Sequence, residues 1–289
     1  MSSPAARLRA HLASTPFTVM PCCFDGLSAR LIGDAGFDVT FMSGFAVSAS
    51  RIGQPDTGLI SYGEMVDTAR NVVAATRALV IGDGDTGYGN ALNVKRTVKG
   101  YAQAGMAAVM IEDQVAPKRC GHTRGKLVVD RVEAVNRIKA AVDAREEGAD
   151  ILILARTDAR HGHGLDEALE RARAFRDAGA DMLFVEAPQS IEEMETICRE
   201  VPGVHMANLV EGGATPMLPH AELERIGYRL AAYPLTLLSA MTRAMQEALA
   251  VMKAGGHPNE ALLDFADLRK AVGFDAYYEE EASYADRRD

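Results

Sequence analysis

The chain of 289 residues has no tryptophan, only four cysteines and no long apolar run. Four cysteines are too few to build a disulfide framework in a chain of this length. We expect Cys22, Cys23 and Cys198 to pack as small hydrophobic residues. No stretch approaches the roughly 20 apolar residues that span a bilayer, and the amino terminus has no apolar signal-peptide core. These absences predict a cytoplasmic protein without a membrane partner.

The chain also lacks an excess of basic residues, with 31 Lys and Arg against 40 Asp and Glu and a net charge of -9. This balance argues against a nucleic-acid partner, because binding phosphates requires a basic face. A small anionic substrate needs only local cations and stays possible. The length fits two ordinary domains or one large α/β barrel.

Short β-rich segments alternate with helical patterns, several of which end in glycine as a helix C-cap does. The alternation predicts a (β/α)8 barrel, although a doubly wound open sheet would produce the same order. The predicted strands are residues 17–20, 39–42, 79–82, 107–112, 151–155, 182–186, 204–207 and 229–232.

Unusual polar residues stand at or just after the ends of these strands. In a barrel the carboxyl ends of the strands form one mouth, so residues that are scattered in sequence would converge there. These residues are Ser43, Gly44, Asp83, Asp85, Glu112, Arg156, Asp158, Glu186 and Asn208.

Beyond Pro234 the strand pattern stops. A long helical pattern follows over 235–256, and a shorter one follows over 259–273. The acidic tail from 277 is predicted to be solvated and frayed at its end. We interpret residues 1–289 as a single barrel domain with a C-terminal helical extension over about 235–289. The apolar surplus of the extension indicates packing against another subunit, or against its own barrel.

Asp83 and Asp85 are separated by one residue, which places both carboxylates on the same side of an extended segment. Carboxylates suit Mg²⁺ or Mn²⁺, and Mg²⁺ keeps several waters, for which Asp56 and Glu112 are candidate ligands. The alternative is a turn with helix-capping aspartates. The surrounding glycines favour the metal site, because they allow a ligand to approach the backbone.

Cys120 stands in the run Lys118-Arg119-Cys120-Gly121-His122. A thiol becomes reactive, or donates a proton near neutral pH, when cations surround it. Nearby glycines and a proline predict a loop that can close as a lid and exclude water. Zinc binding by the cysteine and histidine is the alternative, but two further spaced ligands are missing.

Arg156, directly after an apolar strand, either forms a structural salt bridge or clamps a substrate carboxylate. Glu112 and Asp113 follow an apolar run and are interpreted as buried carboxylates paired with a cation at the mouth. Glu186 and Asn208 remain open between structural and functional roles.

Taken together, the strings GDGDTGYGN, IEDQ, PKRCGH, ARTDA, MLFVEA and ANLVEGGATP resemble the isocitrate lyase and phosphoenolpyruvate mutase superfamily from about Pro21 to Pro234. The resemblance implies a (β/α)8 barrel whose last helices are exchanged between the subunits of a homotetramer.

The resemblance also implies roles for single residues. Ser43, Gly44, Phe45 and Gly121 would contact the substrate, and Cys120 would act as general acid with Lys118, Arg119 and His122. Arg156, Glu186, Asn208 and Glu211 would face substrate oxygens or its variable end, and Asp83, Asp85, Asp56 and Glu112 would hold Mg²⁺ and its waters.

The KRCGH loop is typical of the carbon–carbon lyases of this superfamily. Met110 and the Thr123-Arg124-Gly125 segment depart from 2-methylisocitrate lyases. Both of them, and the residues from Glu211 to Gly213, are more similar to the group of 2-alkylmalate (2,3-dimethylmalate) lyases and petal death proteins. The implied activity is Mg²⁺-dependent cleavage of a 2-hydroxydicarboxylate to a 2-keto acid. The alternatives are 2-methylisocitrate cleavage, oxaloacetate hydrolysis and a non-catalytic binding protein.

Overall fold

Eight parallel strands in chain order close into a barrel in a computed structural model, which describes residues 2–121 and 125–285. The open-sheet alternative is wrong, because the first strand pairs with the last, with Thr18 opposite Leu230. Every predicted strand overlaps an observed one. The strands are β1 (Thr18–Cys23), β2 (Val39–Met42), β3 (Leu79–Asp83), β4 (Ala108–Glu112), β5 (Leu152–Thr157), β6 (Met182–Val185), β7 (His205–Asn208) and β8 (Tyr228–Tyr233).

Helices connect the strands, and several begin at a side chain that caps their free amide groups. Ser61 and Glu64 form a capping box at one helix start, and Asn90 caps the next helix. The helices up to β8 are α1 (Pro4–Ser14), α2 (Gly26–Asp34), α3 (Gly44–Val47), α4 (Tyr62–Ala75), α5 (Ala91–Gln103), α6 (Arg131–Glu146), α7 (Ala159–His163), α8 (Leu165–Asp177), α9 (Ile191–Glu200) and α10 (His220–Ile226), with a π-helical turn at Ser48–Ile52.

The interior of the barrel is filled by alternate residues of the strands, as the period of two requires. Phe41, Met110, Leu154 and Phe184 belong to this buried cluster, and α1 adds Leu8 to it. Burial of each large apolar side chain contributes about 1.5–3 kcal/mol. The packed interior therefore holds the strand ends in a fixed arrangement.

The strand register places polar residues side by side at the carboxyl ends. Glu112 lies opposite Arg156 on the neighbouring strand, and Asp83 lies opposite Met110. Asn208 pairs with Ala232 of β8. Residues that are far apart in sequence therefore share one end of the barrel.

The chain divides into two compact units, one up to Leu237 and one from Leu238. Helix α11 (Thr236–Lys253) is followed by a 3-10 turn (Asn259–Ala261), α12 (Phe265–Ala271) and α13 (Phe274–Ala285). The single helix expected over 259–273 is therefore interrupted, because Asp264 is the N-cap of α12 and its side chain accepts a hydrogen bond from the Asp267 amide. The acidic tail is helical up to Ala285.

Large apolar side chains of the second unit are exposed, and Arg269 lies over three of its aromatic rings. None of the helices in the described ranges is long and apolar enough to cross a membrane. The exposed apolar residues include Met245, Leu249, Met252, Leu262, Leu263 and Phe265.

Candidate active site

A cavity opens at the carboxyl ends of the strands and collects most of the candidate residues. Its wall also has an apolar part, formed by Phe41, Met110, Phe184, Met206, Val210 and Leu235, among others. The candidates that line it are Ser43, Phe45, Asp56, Asp83, Glu112, Lys118, Arg119, Cys120, Gly121, Arg156 and Asn208.

Lys118 is buried between two of the carboxylates. Its Nζ lies 2.6 Å from Asp56 Oδ1 and 2.9 Å from Asp85 Oδ1. Burial disfavours the charged ammonium, but the charges of Asp85 and Asp56 outweigh it and raise the pKa of Lys118 well above its usual value. Lys118 is therefore held as a cation, and its charge is directed towards the acidic residues.

Asp83 is fixed by three hydrogen bonds. Its Oδ2 accepts from the Gly44 amide (3.1 Å), its Oδ1 accepts from the Asp85 amide (3.0 Å), and its carbonyl accepts from the Tyr101 hydroxyl (2.6 Å). A Cβ at position 44 would lie 2.4 Å from Asp83 Oδ2, so only glycine fits there. The Gly44 amide is therefore engaged by Asp83, whereas the resemblance implied that Gly44 contacts the substrate.

Arg156 is surrounded by carboxylates at the end of β5. Its Nε lies 2.8 Å from Asp158 Oδ2 and 3.2 Å from Glu112 Oε2, and its Nη2 lies 3.5 Å from Glu186 Oε2. Asn208 Nδ2 donates to Glu186 at 3.3 Å. Burial disfavours the Arg156 charge, but these carboxylates raise its pKa well above the ordinary value. A permanent cation therefore faces the cavity.

The segment that carries Cys120 is held over the mouth by backbone contacts. The Cys120 amide donates to the Asp56 carbonyl at 3.2 Å. Gly121 packs so closely that a Cβ would lie 2.5 Å from Arg156 Nη2 and 2.6 Å from Glu186 Cδ. Cys120 therefore lines the same cavity as Arg156 and Glu112.

Several of the described candidates do not line the cavity. Asp85 lies behind Lys118, and Gly44 and Glu186 are buried against Asp83 and Arg156. Glu211 is exposed and accepts a hydrogen bond from Thr236. His122 and residues 123–124 lie outside the described residues.

Ser43 lines the cavity and also begins α3, because its hydroxyl accepts from the Ala46 amide at 3.3 Å. Asp113, interpreted as a mouth carboxylate, does not line the cavity. It pairs instead with Arg171 at 3.0 Å and accepts from the Asp158 amide. Its cation is therefore a structural partner supplied by α8.

The described acidic residues offer suitable chemistry for a hard divalent cation. Burial raises the pKa of Asp85 to about 7, against the opposing charge of Lys118, and raises that of Glu112 well above its usual value. Within the described ranges, the buried Glu112 Oε1 has no hydrogen-bond partner. In the same ranges, no group of three or more His, Cys, Asp or Glu side chains is close enough together to hold a metal ion by itself. The oxygen donors thus fit a cation such as Mg²⁺ that keeps most of its waters.

Two features of the mouth were not fully predicted from the sequence. Lys126 is buried and pairs with Asp158, and an isolated lysine after a glycine carries no signal of burial. Met110 was singled out in the sequence, but the rest of the apolar part of the cavity wall was not, because inward-facing residues near strand ends look like ordinary barrel core in a sequence pattern.

Comparisons with known proteins extend over nearly the whole chain. The phosphoenolpyruvate phosphomutase family model matches residues 8–253. The chain is 44% identical to 2,3-dimethylmalate lyase of Eubacterium barkeri over 287 residues, which are 98% of this chain and 99% of the relative.

Solved structures of similar proteins give the same result. An oxaloacetate acetylhydrolase with 3,3-difluorooxalacetate superposes with a TM-score of 0.93 at 34% identity, covering 98% of this chain and 97% of the other. A phosphonopyruvate hydrolase complex with oxalate and Mg²⁺ has a TM-score of 0.86 at 29% identity, covering 98% and 100%. The chain belongs to the phosphoenolpyruvate phosphomutase family, within the phosphoenolpyruvate mutase/isocitrate lyase superfamily.

Proposed function

We propose that this protein is a Mg²⁺-dependent carbon–carbon lyase that cleaves a 2-alkylmalate to a 2-keto acid and a carboxylate, with pyruvate as the keto acid from a 2-methyl substrate such as 2,3-dimethylmalate. One observation carries the proposal: Cys120, Arg156 and the acidic residues Asp83 and Glu112 line one cavity. A proton donor, a cation for carboxylates and oxygen donors for a metal are the groups that such a cleavage requires. The similarity to a 2,3-dimethylmalate lyase supports the substrate class.

In the proposed reaction the 2-hydroxyl gives up its proton, which passes to solvent, and the C2–C3 bond then breaks. C2 becomes a ketone, and C3 keeps the electron pair as an enolate. Cys120 gives its thiol proton to C3, and the thiolate is reprotonated from solvent before the next turnover. Arg156 binds a substrate carboxylate, and Lys118 and Arg119 stabilise the negative charge.

Asp83, Asp85, Asp56 and Glu112 would hold Mg²⁺ and its waters. When bound, the ion lowers the pKa of the substrate hydroxyl and stabilises charge on that oxygen. This proposal is supported by the donor chemistry of the mouth and by the solved phosphonopyruvate hydrolase complex that contains Mg²⁺.

The apolar part of the cavity wall favours a substrate with an alkyl group. Met110 lines the cavity and is 1% exposed, and its thioether side chain offers no hydrogen-bond donor to a third carboxylate. A tricarboxylate such as 2-methylisocitrate would need such a donor. The second candidate is oxaloacetate hydrolysis, favoured by the likeness to oxaloacetate acetylhydrolase.

A lactate-dehydrogenase-coupled assay with Mg²⁺ tests the proposal by comparing pyruvate release from 2,3-dimethylmalate, 2-methylmalate and 2-methylisocitrate, with oxaloacetate consumption followed separately. We expect kcat/KM to be highest for an alkylmalate. Preference for 2-methylisocitrate would refute the interpretation of Met110, and turnover of oxaloacetate alone would establish the hydrolase instead. Absence of all four activities would favour a non-catalytic binding protein.

The role of Cys120 is tested by replacement with alanine. Loss of a general acid lowers kcat by about 10²–10⁴-fold. Cys198 is half-buried in α9, so Cys198→Ala is the matched control and should keep the wild-type kcat. Equal kcat in the two variants would remove Cys120 from the proton-transfer step.

The proposal includes a homotetramer of single-domain subunits whose C-terminal helices are exchanged. Exposed apolar residues of the second unit, such as Leu249 and Phe265, support an interface between copies of the chain. Light scattering after size-exclusion chromatography should give four times the 31.0 kDa subunit mass. A monomeric mass would contradict the assembly without affecting the proposed reaction.

A further inference from the structure

We propose that Lys126 and Gln114 are positioning residues that together hold the segment Arg119–Gly121, and with it the Cys120 thiol, against the carboxyl end of β5. This inference rests on the proposed function for its effect on turnover. The contacts on which it depends are independent of the substrate.

Lys126 links this segment to the barrel from one side. Its side chain is only 1% exposed, its Nζ donates to the Gly121 carbonyl, and the same nitrogen lies 3.0 Å from Asp158 Oδ1. Asp158 in turn binds Arg156 through both carboxylate oxygens, at 2.8 Å and 3.0 Å. A buried ammonium is costly unless it is paired, so these contacts keep Gly121 beside Arg156.

Gln114 holds the segment from the other side. Its Oε1 accepts from the Arg119 amide at 2.9 Å, and its Nε2 donates to the Arg119 carbonyl at 2.9 Å. The backbone of Gln114 forms an antiparallel bridge with Val128. Gln114 therefore lies at the base of the loop, and its side chain fixes the residue before Cys120.

Gln114 and Lys126 contact the backbone on either side of Cys120, at Arg119 and Gly121. Neither residue belongs to the lining of the cavity in the described part of the chain. A purely structural role would stabilise the whole barrel. A positioning role would affect the order of residues 119–121 and the proton transfer from Cys120, with little effect on the rest of the chain. The two roles therefore differ in where the chain becomes mobile.

Lys126→Met and Gln114→Met remove the polar contacts while keeping side chains of similar length. Lys139→Met and Gln103→Met are matched controls, because Lys139 and Gln103 are exposed on α6 and α5. The measurements on each full-length variant are kcat, KM, the melting temperature and hydrogen exchange of peptides spanning residues 115–121.

We expect both Met variants to lower kcat by about tenfold to a hundredfold, as a misplacement of about 1 Å does. KM should change much less, and hydrogen exchange should accelerate within 115–121 but not in the barrel strands. Lys126→Arg keeps the cation and should recover most of the lost kcat. The controls should match the wild type.

Wild-type exchange over residues 115–121 in both Met variants would overturn the proposal, as would exchange that accelerates equally throughout the barrel. If Lys126→Met does not fold, Gln114→Met still tests the inference, because it removes no buried charge. Failure of the wild type to turn over any malate derivative would refute the proposed function alone, since hydrogen exchange measures the positioning without a substrate.

Discussion

Replacement of Gly121 by alanine tests whether the observed position of the Cys120 segment is the catalytic one. The added Cβ would lie 2.5 Å from Arg156 Nη2, about 0.9 Å closer than an ordinary contact of 3.4 Å. The other close neighbour of this Cβ is Glu186. Neither Arg156 nor Glu186 can move aside easily, because Arg156 is ion-paired with Glu186 and Asp158 and both acids are buried. The segment must therefore shift by about 1 Å, which is the overlap that the side chain creates.

A shift of that size is expected to lower kcat/KM by about 100-fold, equivalent to about 2.7 kcal/mol of transition-state stabilisation. The melting temperature should change little, because Gly121 does not have a positive φ angle and alanine can adopt its backbone conformation. The coupled pyruvate assay and a thermal melt measure the two effects separately. Gly162→Ala in α7 is the matched control, since no atom lies within 4 Å of the Cβ it would add.

Wild-type turnover by Gly121→Ala would refute the reasoning, because the segment would then work in a position other than the one observed. A large fall in melting temperature together with the loss of activity would also refute it. The clash would then be destabilising the barrel and not the position of Cys120.

The fold was predictable because each strand and each connecting helix has its own period in the sequence. The closure of the barrel was also predicted, but the alternation alone left an open sheet as the alternative, since pairing of Thr18 with Leu230 joins residues at opposite ends of the domain and leaves no local pattern. Many α/β sequences with eight strands share this ambiguity until the first and last strands are seen to pair.

The site was predictable only to the extent that strand ends converge. Glu112 and Arg156 follow from that rule, and the structure pairs them across β4 and β5. Asp113 could have been assigned correctly from the alternation of side chains, because its neighbour Glu112 faces inward. The positions of Glu211 and Lys126 could not be predicted. Glu211 accepts a hydrogen bond from Thr236, and Lys126 is buried in an ion pair with Asp158. Both contacts join segments that are distant in sequence, so no local pattern indicates them.

Three further predictions concern the metal, the strand end and the pH dependence of stability. Chelation with EDTA should abolish pyruvate release and added Mg²⁺ should restore it, whereas full activity in EDTA would exclude a required metal. Tyr101→Phe removes the buried hydrogen bond to the Asp83 carbonyl and should lower the free energy of unfolding by about 1–3 kcal/mol in urea titrations; no change would mean that the carbonyl finds another donor. Burial lowers the pKa of the His205 imidazole in the folded chain. Below the pKa of about 6.5 that histidine has in the unfolded chain, His205 therefore binds a proton more readily when the chain is unfolded than when it is folded. Protonation then favours unfolding, and this contribution to stability is present at pH 7.5 and lost as the pH falls towards 5. His205→Leu should therefore flatten the pH dependence of the melting temperature over this window. Parallel curves for the wild type and His205→Leu would show that other groups cause the dependence.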